Sequence, residues 1–262
     1  MTIPITNNAR MPLGRKAPRY DPRTFMLASY LVPGATGHLP KPLPAATWSR
    51  PVKSWEMHLN DLIGCCTCAT AAHMIRAWTA NSDQPDVVVP DEEVLKAYQA
   101  VGGYVPNDPS TDGGAIELDL LKHWRKQGIG GHKIGAYASV GTRSRTLVMD
   151  AIYLFGGIYT GFALPITAQQ QPVWDVVPGA ARERNAEAGS WGGHAVPVID
   201  YNWRGLACIT WGKVQYMTWA FFKTYCDEAY AIMSRDFVND DGVAPSGFDL
   251  SSLRRDLGLL AG

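Results

Sequence analysis

The sequence predicts an α+β chain in two lobes, helical in the first and β-rich in the second. Between Cys66 and Ala80 almost no polar stripe interrupts the small and apolar residues, the mark of a helix buried on all sides. Two more helical patterns follow before residue 130, and after it short bounded runs of β-formers dominate. Taken in order, residues 1–45 read as an extended arm, because Pro4, Pro12, Pro18, Pro22, Pro33, Pro40, Pro42 and Pro44 interrupt any helix. Its Phe25, Leu27, Tyr30 and Leu31 are expected to bury against the body. The helical lobe, 46–130, continues with 90–101, which opens on Asp91, Glu92 and Glu93, acids suited to a first turn. Residues 115–127 follow, with Ile116, Leu120 and Trp124 on one face and Gly128 as the stop. The β-rich lobe, 131–235, holds expected strands at 132–140, 157–164, 194–201, 206–211 and 228–234, with helices at 143–154 and 218–226. Residues 167–193 read as a long surface loop, and 236–262 as a C-terminal extension.

Composition narrows the function classes. Of 262 residues, 46% are hydrophobic and 18% charged, enough apolar material for a sizeable core and against intrinsic disorder. Lys plus Arg and Asp plus Glu are 24 each, so no net charge draws the chain to nucleic acid or to an anionic membrane. No apolar run reaches the roughly 20 residues needed to span a bilayer. The first residues lack the apolar segment of a secretory signal, so a cytoplasmic or virion-associated location is expected. Five cysteines, three of them Cys65, Cys66 and Cys68, do not form the framework of a secreted disulfide scaffold.

Two segments carry candidate chemistry. Asn60 to Thr67 places a thiol where a loop becomes the amino end of a buried helix, where free N–H groups and the helix dipole favour thiolate. The same N–H groups, joined by a side-chain amide, can form an oxyanion hole. Gly192-Gly193-His194-Ala195-Val196 opens a strand on a histidine flanked by glycines, and Ile209-Thr210-Trp211-Gly212 ends the next strand.

This order of segments resembles the papain-like cysteine peptidases, most closely their bacterial and phage branch, whose nucleophile segment often reads Gln-Gly-Ser-Leu-Gly-Ser-Cys-Thr. Gly64, Cys66 and Thr67 match directly, Ile63 stands for the Leu, and Asn60 falls on the oxyanion-hole Gln. His194-Ala195-Val196 matches the family's His-Ala-Val, Thr210-Trp211-Gly212 its Ser-Trp-Gly, and Gly128-Ile129 its Gly-Ile before the second lobe. Leu13-Gly14-Arg15 and Asp21-Pro22-Arg23 resemble the bacterial leader. The resemblance implies a papain-like two-lobe fold, with Cys66 and His194 facing each other across a groove. It also implies cysteine-dependent cleavage of a peptide or related amide bond, with no metal or organic cofactor.

Three positions depart from the family pattern. Ile209 stands where the orienting Asn is expected, leaving Thr210 as the nearest hydroxyl. Asn60 is one methylene shorter than Gln, and 217–222 reads as helix in place of the family's later Trp-Gly segment. The site expected is therefore Cys66, His194 and Thr210 for catalysis, Asn60 and the Cys66 amide for the oxyanion, and Trp211 with Gly193 shielding the groove.

Competing readings stay open. Cys65, Cys66, Cys68 and His73 could be metal ligands, although Cys-Cys-x-Cys entering a helix points its thiols apart. The three thiols could also be small apolar core residues. At the level of the whole chain, the alternatives are an inert papain-like module of a virion or other assembly, and a cell-wall amidase or acyltransferase using the same pair. The expected partner is a peptide or protein substrate, with neither nucleic acid nor membrane.

Overall fold

A computed structural model describes residues 11–31, 40–179 and 183–249. Helix α1 (Cys66–Asn81) is the axis of the helical half. All residues from Cys66 to Thr79 are buried, which a helix poor in long polar side chains tolerates when protein covers every face. Helices α2 (Asp91–Gly102) and α3 (Glu117–Lys126) pack beside it, and Trp78 of α1 stacks on Trp124 of α3 with ring centroids 5.6 Å apart. Gly103 ends α2 in the left-handed conformation at φ 72°, the usual reason for a glycine there.

The second half is built on one sheet of nine strands among the described residues, in the order β1-β3-β9-β4-β6-β7-β8-β5, with β2 also paired to β6. The long strands are β3 (Ile134–Ser139), β4 (Ile158–Leu164), β6 (Gly192–Tyr201), β7 (Gly205–Thr210), β8 (Lys213–Thr218) and β9 (Cys226–Ser234), all antiparallel to their long neighbours. Short strands β1 (Phe25–Met26), β2 (Ala46–Thr47) and β5 (Val173–Trp174) complete it. Helices α4 (Arg145–Phe155) and α5 (Trp219–Tyr225) lie beside it. Strands β4 and β6 are buried almost throughout, with α1 against them. The Tyr159 hydroxyl of β4 donates to the Thr67 carbonyl at 2.7 Å, pinning the first turn of α1 to the sheet.

Several expectations are corrected. Lys213–Thr218 is strand β8, and Trp211 belongs to the turn before it. The helix expected from Thr218 to Cys226 is shorter, with Thr218 as its side-chain cap and Cys226 already in β9. The segment 167–193 is not one loop: it contains 3-10 turns, β5 and the start of β6. In the arm Leu27 is buried, but Phe25 is 57% exposed, since β1 pairs only at the sheet edge. Pro4 and Pro33 of the arm, and 250–262 of the extension, lie outside the described residues.

His73 of α1 and His58 of the loop before it are buried with ring centroids 4.9 Å apart, and a His73 ring nitrogen lies 2.8 Å from the Glu56 carbonyl oxygen. Loss of water drives the His73 imidazole down to about 3 and lowers His58 as well. The folded chain therefore binds fewer protons than the unfolded chain as pH falls below 6.5, and stability drops in that direction. His132, held above its ordinary value by Asp236, acts oppositely. His73→Gln should flatten the fall in unfolding free energy below pH 6.5, by a slope that grows to about 1.4 kcal/mol per pH unit near pH 5, read from urea melts at each pH.

Candidate active site

Cys66 is the first residue of α1, and the chain approaches it through a strained loop. His58 and Leu59 both hold positive φ, at 48° and 62°, which non-glycine residues adopt at a cost. Gly64 is fixed by its N–H, which donates to the Asp112 carboxylate at 3.0 Å. Asp112 also accepts from the Tyr98 hydroxyl, and that hydroxyl accepts from the Gly114 N–H at 2.9 Å. One carboxylate and one phenol thus hold Gly64 and Gly114 together as a wall of backbone. The Cys66 amide, first in the helix, has no acceptor among the described residues.

His194 lies on β6 with α1 packed on that strand. One ring nitrogen, Nε2, is 2.7 Å from Thr210 Oγ1, and Nδ1 is buried without a partner. The Trp211 indole covers the ring in parallel, with centroids 4.3 Å apart and planes 8° apart. Holding it there puts Trp211 at φ 44°, followed by Gly212 at 68°, in the two-residue turn that joins β7 to β8. Such a turn favours Asn or Gly at its first central position, so Trp sits there against local preference. Stacking on His194 and on Trp191 supplies the offsetting contacts.

The Cys66 sulfur accepts from the Ala195 N–H at 3.4 Å, so thiol and imidazole occupy one locality without a direct hydrogen bond between them. Both residues are only 1% exposed. Burial pushes the Cys66 thiol up to about 11, against the pull of the Ala195 and Gly14 amides. Burial, aided by the Arg15 charge, pushes the His194 imidazole down to about 3. At neutral pH the pair is therefore uncharged.

The cover over Cys66 is the chain's own arm. Gly14 lies so close to the wall that a Cβ on it would fall 1.6 Å from the Gly64 carbonyl oxygen. The Ala115 N–H donates to the Gly14 carbonyl at 2.7 Å, Lys16 N–H to the Ala115 carbonyl at 2.9 Å, and Arg15 N–H to the Gly193 carbonyl at 3.1 Å. The Arg15 side chain enters a recess where its Nε is 3.0 Å from Glu117 and its Nη2 is 2.6 Å from Asp227 and 2.9 Å from Glu228.

The remaining expected residues divide as follows. Asn60 gives its amide to the Ile63 carbonyl at 3.3 Å and the Pro12 carbonyl at 3.5 Å, so it serves the loop and the arm. Gly193 is occupied by Arg15. Ile209 packs with Ala77 and Ile199 in a separate apolar cluster and takes no part in holding the ring. The neighbouring thiols diverge: Cys65 donates to the His58 carbonyl and Cys68 contacts Thr67. No group of three or more His, Cys, Asp or Glu is arranged to hold a metal among the described residues. Arg15 stood in the sequence only as part of the leader-like segment, and nothing local marked Glu117, Asp227 and Glu228, which meet it through contacts more than a hundred residues apart.

No family profile matches the sequence, and no curated protein matches it by sequence. Solved structures do resemble it. Xylellain, a cysteine protease from Xylella fastidiosa, superposes with a TM-score of 0.64 at 16% identity, covering 85% of this chain and 96% of that one. Procathepsin B S9 from Trypanosoma congolense gives 0.55 at 10% identity over 87% and 88%. The Carica candamarcensis cysteine protease CMS1MS2 gives 0.54 at 12% identity over 73% and 98%. The chain thus has the papain-like two-lobe fold.

Two outcomes test this geometry. Trp211→Ala should admit water to the imidazole and raise its pKa from about 3 toward 6.5, followed by NMR titration of the ring protons. Gly14→Ala should force the arm off the wall and speed alkylation of Cys66 on the order of tenfold, measured by peptide mapping.

Proposed function

We propose that the chain is a cysteine hydrolase of peptide or related amide bonds, with Cys66 as nucleophile and His194 as its base. The observation that supports this most is the setting of His194. Nε2 is engaged by Thr210 and Nδ1 has no other partner; in the tautomer with its proton on Nε2, donated to Thr210, Nδ1 is a bare base in the locality of a cysteine at a helix amino end. The fold's likeness to several cysteine proteases supports the same reading.

In this mechanism the arm first leaves the groove and water enters. The thiol passes its proton to Nδ1 and attacks the substrate carbonyl. The Cys66 N–H, free at the start of α1, donates to the developing oxyanion. Asn60, released from Pro12, turns its amide to the same oxygen. Imidazolium, oriented by Thr210 and covered by Trp211, then protonates the leaving amine. Water hydrolyses the thioester with the same base.

One observation favours an inert module instead: the sulfur and the ring are both sealed under the arm. Turnover decides between them. Cys66→Ala should abolish hydrolysis of a general peptide panel. Thr210→Ala should lower kcat by about ten- to a hundredfold, or about 1.4–2.7 kcal/mol of barrier. The loss is smaller than for the Asp of a serine triad because a thiol depends less on its base. Equal inactivity of wild type and Cys66→Ala, with Cys66 inert to substrate-like electrophiles, would establish the module. Hydrolysis confined to cell-wall peptides, or acyl transfer to an added amine, would mark the amidase or acyltransferase form of the same chemistry.

A further inference from the structure

The recess that holds Arg15 lies on a cross-strand row whose other end, Ala195, touches Cys66. Glu228 of β9 pairs with Gly161 of β4, and Gly161 pairs with Ala195 of β6, the residue whose N–H reaches Cys66. Neighbouring strands are about 4.8 Å apart, so the Glu228 backbone lies roughly 10 Å from that of Ala195. Gly161 leaves the space between them open. A Cβ there would fall 2.1 Å from the Arg15 Nε, so the missing side chain is what admits a guanidinium.

The walls carry more acid than a structural ion pair needs. Glu117, Asp227 and Glu228 face a single guanidinium, and Tyr230 donates to Glu228 at 2.6 Å, turning its other oxygen to Arg15. Glu117 is completely buried; its Oε1 pairs with Arg15 Nε at 3.0 Å, and its Oε2 has no partner among the described residues. The backbone bonds made by Gly14, Arg15 and Lys16 with Ala115 and Gly193 use no side chain, so an extended peptide with glycine at the Gly14 position can make them. Residues 16–20, which follow the buried Arg15, are exposed, with Arg19 paired to Asp119, and the arm is anchored again farther on by the Asp21–Lys122 ion pair and by β1.

We propose that this recess is a specificity site for a basic side chain. The substrate would be an extended peptide that follows the path of the arm and puts an arginine or lysine where Arg15 now lies, with its adjoining backbone over Cys66. The inference rests on the hydrolase reading of Cys66. Arginine fills the recess better than lysine, since a planar fork reaches carboxylates on two sides while an ammonium reaches as a point charge.

The test uses the full chain with Arg15→Ala, which empties the recess, and two probes: acetyl-Leu-Gly-Arg-Lys amide and the same peptide with norleucine for arginine. Alkylation of Cys66 by iodoacetamide should be faster in Arg15→Ala than in wild type. The arginine peptide should suppress it at a concentration on the order of a hundredfold lower than the norleucine peptide requires. Adding Gly161→Ala should remove that selectivity without changing the charge of the site. Arg15→Gln, which keeps an amide donor toward the carboxylates, takes the place of Arg15→Ala if the latter does not fold.

Equal protection by the two peptides overturns the proposal, as does a folded Arg15→Ala whose Cys66 is no more reactive than in wild type. A fluorogenic panel separates this inference from the one beneath it. Cleavage with no preference for basic residues removes the specificity site and leaves the hydrolase. Arginine-selective protection with no cleavage of any basic peptide removes the hydrolase and leaves a receptor for basic peptides.

Discussion

The packing of the first turn of α1 onto β4 and β6 is the contact on which the site depends. Tyr159 ties that turn to the sheet, and the Ala195 N–H meets the Cys66 sulfur. A helix with almost no polar face cannot remain exposed, so its burial against the sheet follows from composition. Burial then fixes which residues meet: the amino end of one half lies over the strand that carries His194 in the other. The chain between Cys66 and Ala195, which are 129 positions apart, supplies strands and covering helices, but the contact is made at its ends.

Desolvation has opposite consequences at the two kinds of polar group nearby. At Cys66 and His194 it removes charge from both members, because each would have to ionise without water. At the Arg15 recess the guanidinium keeps its charge, held by the carboxylates around it, while burial and the neighbouring acids push Glu117 upward. Removing one member of such a cluster strands the others, commonly at about 3–5 kcal/mol. The arm is therefore seated by its most polar residue, beside a pair that burial keeps neutral.

Much of this was legible in the sequence because it is local. The apolar run of α1, the acidic start of α2 and the glycine-flanked histidine of β6 each state their structure within about fifteen residues. The closeness of Thr210 to His194 follows from two neighbouring strands, one opening on the histidine and the other closing on the hydroxyl. Strand β8 was hidden because polar Gln215 faces in while Tyr216 faces out, against the hydrophobic pattern, and because the strand runs directly into α5. The Trp211 turn was hidden because tryptophan is not a turn residue; its φ is set by the imidazole beneath it. The role of Asn60 turned on where a carbonyl of the arm would lie, and the Arg15 recess on contacts such as that between residues 15 and 227. No window of sequence contains either.

The sealed thiols bear on how the protein ages. Cys65, Cys66 and Cys68 are all free and at most 1% exposed. With a pKa near 11, Cys66 is thiolate in only about one molecule in ten thousand at neutral pH, and peroxide attacks the thiolate. In its closed form the chain can therefore sit in air without a reductant and lose little thiol. Water reaching the sulfur would remove the desolvation that holds the thiol protonated, so the same burial that silences Cys66 also protects it from oxidation.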